Sequence, residues 1–293
     1  MSRQQCREVR SVYREYQAPV AVRPVVACLW EQEPNGDHVQ RVVPDGCVDL
    51  IWLAGRELVV AGPDTRFRDA ALAAGAMSSG VRLRPGVAGM VLGVPACDVR
   101  DLQIDVDLLW GGRAARNPGD SMAEIRGRLA EAAPARRLEL LSDVVTGRAT
   151  ERPDPLVGAA VRHLAHPGAR VAAVAAELGV GERQLHRRML GAVGYGPKMF
   201  ARVARLRRLM MLTRRPPALP SVSAGQPARW SVEQQAAGSP APVSCSSSLA
   251  SFSLASVAVA AGYASQSHMN DEVRRLTGTT AVRFLEDAIV TAA

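Results

Sequence analysis

Residues 171–190 read Val171-Ala172-Ala173-Val174-Ala175-Ala176-Glu177-Leu178-Gly179-Val180-Gly181-Glu182-Arg183-Gln184-Leu185-His186-Arg187-Arg188-Met189-Leu190. Val171, Val174 and Leu178 are spaced i, i+3, i+7, which makes one apolar stripe on a helix. The alanines between them let a crossing helix approach closely. Gly179 supplies the positive φ of a sharp turn. A second short helix follows, with Leu185 and Met189 inward and Arg183, Gln184, Arg187 and Arg188 pointing elsewhere. A helix that docks by one side and carries long donors on the other suits a major groove. Arg pairs bidentately with guanine, and Gln with adenine. The competing reading is a solvated basic helix on a small helical domain. The Ala-rich helix, the glycine turn and the polar-tipped helix together favour DNA.

The pattern repeats downstream. In Leu254–Tyr263, Val257 and Ala261 share a face and Gly262 makes the turn. Residues 264–274 form the second predicted recognition helix. Leu276 to Thr280 then lead into a closing helix around Arg283, Phe284 and Leu285. The charge distribution points the same way. The chain of 293 residues carries a formal net charge of +8. Residues 156–215 hold 12 Lys or Arg against 2 Glu, so the whole excess sits in that stretch, as a nucleic-acid footprint would.

Outward from these motifs the chain changes character. Residues 1 to about 115 read as β-rich. Val39–Val43, Cys47–Leu53, Leu58–Ala61 and Val81–Arg84 are strand candidates, separated by turns at Pro44-Asp45-Gly46 and Ala54-Gly55-Arg56. Such spacing predicts a meander or a small barrel. Ser121 followed by Glu124 is a capping box opening a helix with Ile125, Leu129 and Ala132 on one face. A second helix is predicted over about 135–146, with Gly147 able to stop it. Thr150 to Pro155 reads as a hinge. Pro216 to Phe252 holds nine Ser and six Pro with only Arg229 and Glu233 charged, and is predicted to be a disordered insertion.

The run AAGYASQSHMNDEVRRLTG strongly resembles the second helix-turn-helix of AraC-type transcription regulators, a bacterial family. VAAVAAELGVGERQLHRRMLGAVGYGPKMFARVARLRR resembles their first unit and the start of the linker helix. VPDGCVDLIW, VAGPDTR and RLRPG resemble a small β-rich domain of uncharacterised function often found ahead of such halves. The resemblance places Arg183, Gln184 and Arg187 on the groove face of the first recognition helix. It places Gln266, Ser267, His268 and Asp271 on that of the second. Phosphate contacts are assigned to Arg188, Arg202, Arg205, Asn270 and Arg274, and the turns to Gly179 and Gly262. Tyr195-Gly196-Pro197 matches the turn before the linker helix.

This sequence departs from the family in three places. Asp271 stands where a basic or neutral residue is usual, and Ala281 where proline is usual. Gly179 and Gly262 lie 83 residues apart because of the insertion. The second unit either docks normally, with the insertion looping out, or is merely tethered. Loop-closure entropy grows slowly with length, which favours docking.

The organisation expected is α+β. A β-rich N-terminal domain, cupin-like or a meander, spans 1–115, with a helical connector and hinge at 116–154. The all-α DNA-binding part comprises the first helix-turn-helix and linker helix at 155–215, the insertion at 216–252 and the second helix-turn-helix at 253–293. The function implied is sequence-specific binding to double-stranded DNA in a cytoplasmic transcription regulator, not an enzyme. This leaves room for a small-molecule effector and a homodimer, and implies no membrane partner. The alternative is a small-molecule sensor or protein-interaction adaptor that keeps the fold with impaired DNA binding. The N-terminal half has one histidine, His38, which disfavours a metal-binding barrel, and no cofactor or metal is expected. Asp45, Asp49, Asp64 and Arg66 are candidates to line a small pocket, although turn and surface roles suit them. Cys47, leading into an apolar strand, reads as a buried thiol. The five cysteines form no CxxC and suggest neither disulfides nor zinc.

Overall fold

The structure is a computed structural model that describes residues 11–111, 121–149, 151–214 and 253–291. The Ser/Pro-rich stretch 216–252 lies outside the described residues. The N-terminal part contains β1 (Ser11–Gln17), β2 (Val26–Pro34), β3 (His38–Val42), β4 (Val48–Leu53), β5 (Glu57–Ala61), β6 (Arg68–Leu72), β7 (Ser78–Leu83) and β8 (Gln103–Asp105). Six strands form an antiparallel sheet in the order β1-β2-β7-β4-β5-β8, and β3 pairs with β6 in a separate ribbon. The β-rich N-terminal domain expected from the sequence is thus present, its strands divided between two sheets. β7 inserts between β2 and β4, and β1 and β8 are open edges rather than a closing pair.

Alternation along the strands sorts the side chains onto two faces. Val48, Leu50, Trp52, Leu58, Val60, Val81 and Leu83 face the main core. Trp30, Ile51, Val59 and Ala61 form a smaller cluster on the other face. The main core is covered by α1 (Ala88–Leu92), α2 (Val106–Trp110), α3 (Met122–Glu131) and α4 (Pro134–Arg148). Ile125 and Leu129 of α3 and Leu138, Leu141 and Val145 of α4 are buried in it. The segment expected as a connector is thus part of the N-terminal unit, because its apolar stripes have the sheet to cover. The Ser121–Glu124 capping box is present, with both reciprocal bonds formed. Gly147 does not stop α4. Arg148 holds the last turn by stacking on Trp110 at 3.9 Å and donating to the Val91 carbonyl at 3.1 Å.

The C-terminal part is all helical: α5 (Pro155–Leu164), α6 (Val171–Glu177), α7 (Glu182–Val193), α8 (Pro197–Arg214), α9 (Leu254–Ala261), α10 (Gln266–Thr277) and α11 (Ala281–Thr291). Asp154 caps α5 by accepting from the amides of Leu156 and Val157, and Pro155 occupies the first turn. α5 to α7 share a core built on Val157, Leu164, Val174, Leu185 and Met189 with Tyr195 and Phe200. Leu206 and Leu209 of α8 enter a second core with Ala258, Ala261, Tyr263, Met269, Val273 and Leu276. The second unit is therefore docked on α8, not tethered.

The two halves also pack on each other, so residues 151–154 join seated bodies rather than a loose hinge. Gly89 of α1 lies against α7 so closely that a Cβ there would be 2.5 Å from the Gly191 carbonyl oxygen. Gly194, which ends α7 with φ +94°, faces Pro63 and Ala96, and a Cβ would sit 2.3 Å from Pro63 Cγ. Gly194→Ala combines a left-handed backbone with that clash. We expect it to lower the unfolding free energy by about 2 kcal/mol, measured in urea. A change within about 0.5 kcal/mol would mean that the halves separate easily.

Candidate nucleic-acid interface

The first unit has the geometry expected of residues 171–190. Gly179 turns the chain at φ +67° and Gly181 caps α7. Leu185, Met189 and Val193 are buried, which fixes the opposite face outward. Arg183, Gln184, Arg187 and Arg188 are exposed along it. Arg188 donates to Asp154 at 2.9 Å, so it is tethered to the start of α5. Among the described residues, Arg183 and Arg187 make no ion pair, and their charge is presented to solvent.

The second unit is built differently. Gly262 turns at φ +91°, and Arg208 donates to the Ala261 carbonyl at 2.8 Å, fastening α9 to α8. Ser265 caps α10 by accepting from the His268 amide. Gln266, Ser267, Asp271 and Arg274 are exposed, and Asn270 is half-buried. His268 is also half-buried and already engaged. Its Nδ1 accepts from the Ala264 amide at 3.2 Å, and its ring meets Tyr263 edge-on at 5.5 Å.

One residue that the sequence reading did not single out organises this unit. Glu272 is 4% exposed and receives two hydrogen bonds from Arg205, Nε at 2.9 Å and Nη2 at 2.7 Å. Arg202 lies 3.7 Å from the same carboxylate and His268 Nε2 3.6 Å. Arg205 was expected at DNA phosphate. Both arms of its fork are instead spent on Glu272, so that assignment is withdrawn. Arg202 is 49% exposed and keeps an outward face. A signal for Glu272 was present in the chain: it falls on the Met269, Val273, Leu276 stripe, where a carboxylate needs a cation from the neighbouring helix.

Of the N-terminal residues considered for a pocket, Asp45 and Asp49 fasten the sheet. Arg82 donates to both oxygens of Asp49 at 3.1 and 3.0 Å and lies 3.4 Å from Asp45. Asp45 also accepts from the Cys47 amide at 2.8 Å, closing the turn at Gly46. Arg66 is exposed. Burial pushes the Asp64 carboxyl up to about 6, against the opposing pull of Arg68 3.8 Å away. The protonated form is thus favoured in the fold. Its contribution is full below the ordinary value of 3.8 and is lost as pH rises through about 6. Asp64→Asn should therefore stabilise the protein at pH 7–8 and be neutral at pH 4 in thermal unfolding; equal effects at both would contradict this. Burial likewise pushes the Cys47 thiol well above its ordinary range. Native-state labelling of Cys47 at pH 7.5 should be far slower than after denaturation. Rapid labelling at low pH would instead mark a sensor thiol. Among the described residues there is no cluster of three His, Cys, Asp or Glu set to hold a metal, and no helix long and apolar enough to cross a membrane.

Among curated proteins none matches the chain. The chain overlays on the crystal structure of an apo lysine-to-alanine variant of ToxT from Vibrio cholerae with a TM-score of 0.40 and 10% identity, over 94% of this chain and 97% of that one. Residues 14–105 match the family model of a domain of unknown function, DUF6597, which takes in β2 to β7 and the outer strands up to β8.

Proposed function

We propose that the protein is a transcription regulator of the AraC type, which reads double-stranded DNA with α7 and α10 and performs no reaction of its own. The observation that carries this reading is the pairing of two helix-turn-helix units on one helix, α8, each with an exposed polar face on its second helix. Arg183, Gln184 and Arg187 supply base contacts from the first unit. Gln266, Ser267 and Asp271 supply them from the second, with His268 as a donor through Nε2. Arg188, Arg202, Asn270 and Arg274 are assigned to phosphate. The exposed Asp271 suits the amino group of cytosine better than a phosphate. Small-molecule control through the N-terminal domain, and a homodimer, are compatible with this organisation.

A second reading has an observation of its own. Glu272 withdraws Arg205 and engages Arg202, so that the exposed positive charge of α10 is confined to Arg274 and Arg275 in its last turn. That would suit an adaptor that binds protein through α10. Binding to mixed-sequence duplex across a salt series separates the two. With Arg188, Arg202 and Arg274 each neutralising one phosphate, log affinity should fall with log salt at a slope of about −3. A flat salt response would remove the DNA reading and leave the adaptor.

A further inference from the structure

The N-terminal ribbon reaches across the molecule to the end of α10. Arg41 of β3 stands directly opposite Asp69 of β6 and binds both of its oxygens, at 2.9 and 3.1 Å. The pair fixes the guanidinium, which stacks over Phe67 at 4.3 Å and donates to the Thr277 carbonyl at 3.3 Å. Thr277 is the last residue of α10, where helix carbonyls lack partners and a cation is favoured. Phe67 itself fills the space beside Gly278, where a Cβ would be 2.5 Å from its ring. Val43, just after β3, packs into the core of the second unit.

This contact has a counterpart on the first unit. There the N-terminal domain meets the end of α7 through Gly89, Pro63 and Ala96, and Arg100 donates to the Gly194 carbonyl at 3.4 Å. Both recognition helices are thus held at their C-terminal ends, one or more turns from Arg183, Arg187, Gln266 and Ser267. Neither contact covers an exposed reading residue. We propose that Arg41 and Phe67 are positioning residues: they seat the second unit against the N-terminal domain and fix its placement relative to the first. The proposal rests on the DNA reading for its consequence, not for its geometry.

Lever arithmetic shows what such a contact does. α8 has 18 residues and is about 27 Å long at 1.5 Å per residue. Helices bend gently, and about 10° of bend spread along it would move its far end by about 2–3 Å. Base reading does not tolerate that. A support from outside α8 at each unit turns a single strut into a triangle.

The experiment uses the full chain with spin labels on ketone side chains introduced at the exposed positions Glu182 and Ala260, which avoids the native cysteines. The parent should show one narrow distance. Arg41→Ala with Phe67→Ala should broaden it, and Arg41→Lys should do so partly. On DNA, the ratio of affinity for a two-block duplex over a one-block duplex should fall about tenfold in the double variant, with one-block binding unchanged. The same narrow distance in a double variant that still unfolds cooperatively overturns the proposal. So does an equal loss on both duplexes, or a gain on the two-block duplex. If the double variant does not fold, the Arg41→Lys distance and ratio decide alone. Broadening with no sequence-selective DNA binding by the parent sinks the functional reading and leaves the positioning role standing.

Discussion

Glu272→Ala is expected to lower the unfolding free energy by about 3–5 kcal/mol, because it leaves Arg205, only 20% exposed, without its carboxylate. The bidentate pair joins α10 to α8 beside a small core, and Glu272 is almost wholly shut off from water while Arg205 keeps only a narrow exposed edge. Glu272→Gln should cost less, since one oxygen still accepts. Replacing both partners, Arg205→Met with Glu272→Leu, should recover much of the loss, as apolar side chains of similar volume often match a buried pair. Urea unfolding of the four proteins reads this out. A Glu272→Ala loss below about 1 kcal/mol would show that the carboxylate is solvated, and Arg205 would return to the list of phosphate contacts.

Arg187→Ala is expected to weaken binding to a preferred duplex by about 1–3 kcal/mol and to relax preference at one base position. Arg187 is exposed about one and a half turns into α7, on the side opposite Met189, and makes no ion pair among the described residues. Its removal should therefore leave folding nearly untouched, within about 0.5 kcal/mol. Titration of the parent and variant on preferred and scrambled duplexes checks it. Equal weakening on both would mean that Arg187 touches only phosphate. Arg188→Ala should behave in that second way, and should also release Asp154 at the start of α5.

The helical half was largely legible in the sequence because each local signal was self-sufficient. Gly179 and Gly262 both adopt positive φ, and the buried stripes Leu185–Met189 and Met269–Val273–Leu276 follow helical spacing. What the stripe concealed was Glu272, whose role depends on Arg205, 67 residues away. Periodicity reports which face is buried, not which charge waits there. The β-rich half was legible only where strands are apolar. β4 and β5 carry runs such as Val48–Leu53 that face cores on both sides, and β7 ends in the buried Val81 and Leu83. β1, an edge strand with Tyr13 and Tyr16 exposed, and β6, reading Arg68 to Leu72, alternate too weakly to announce themselves. Strand order is a tertiary property, so no local pattern could place β7 between β2 and β4. The same limit applies to α3 and α4. Their amphipathic stripes were visible, but the surface they cover was not.

The N-terminal candidates show how charge can mislead. Asp45 and Asp49 attract attention as carboxylates beside an apolar strand. Their partner Arg82 lies 33 or more residues on, in the neighbouring strand, and the three together fasten β4 and its preceding turn to β7. Composition alone cannot tell a pocket from such a fastening.

The central claim is that two outward-facing helices on one α8 scaffold read DNA together. Selection of bound duplexes from a random library by the full chain tests it most directly. The expected result is an enriched site with two specified blocks whose centres lie about one helical turn, 10–10.5 base pairs, apart on one face. Enrichment of no motif at salt low enough for retention, or of a single block whose affinity ignores Gln266 and Ser267, would contradict it.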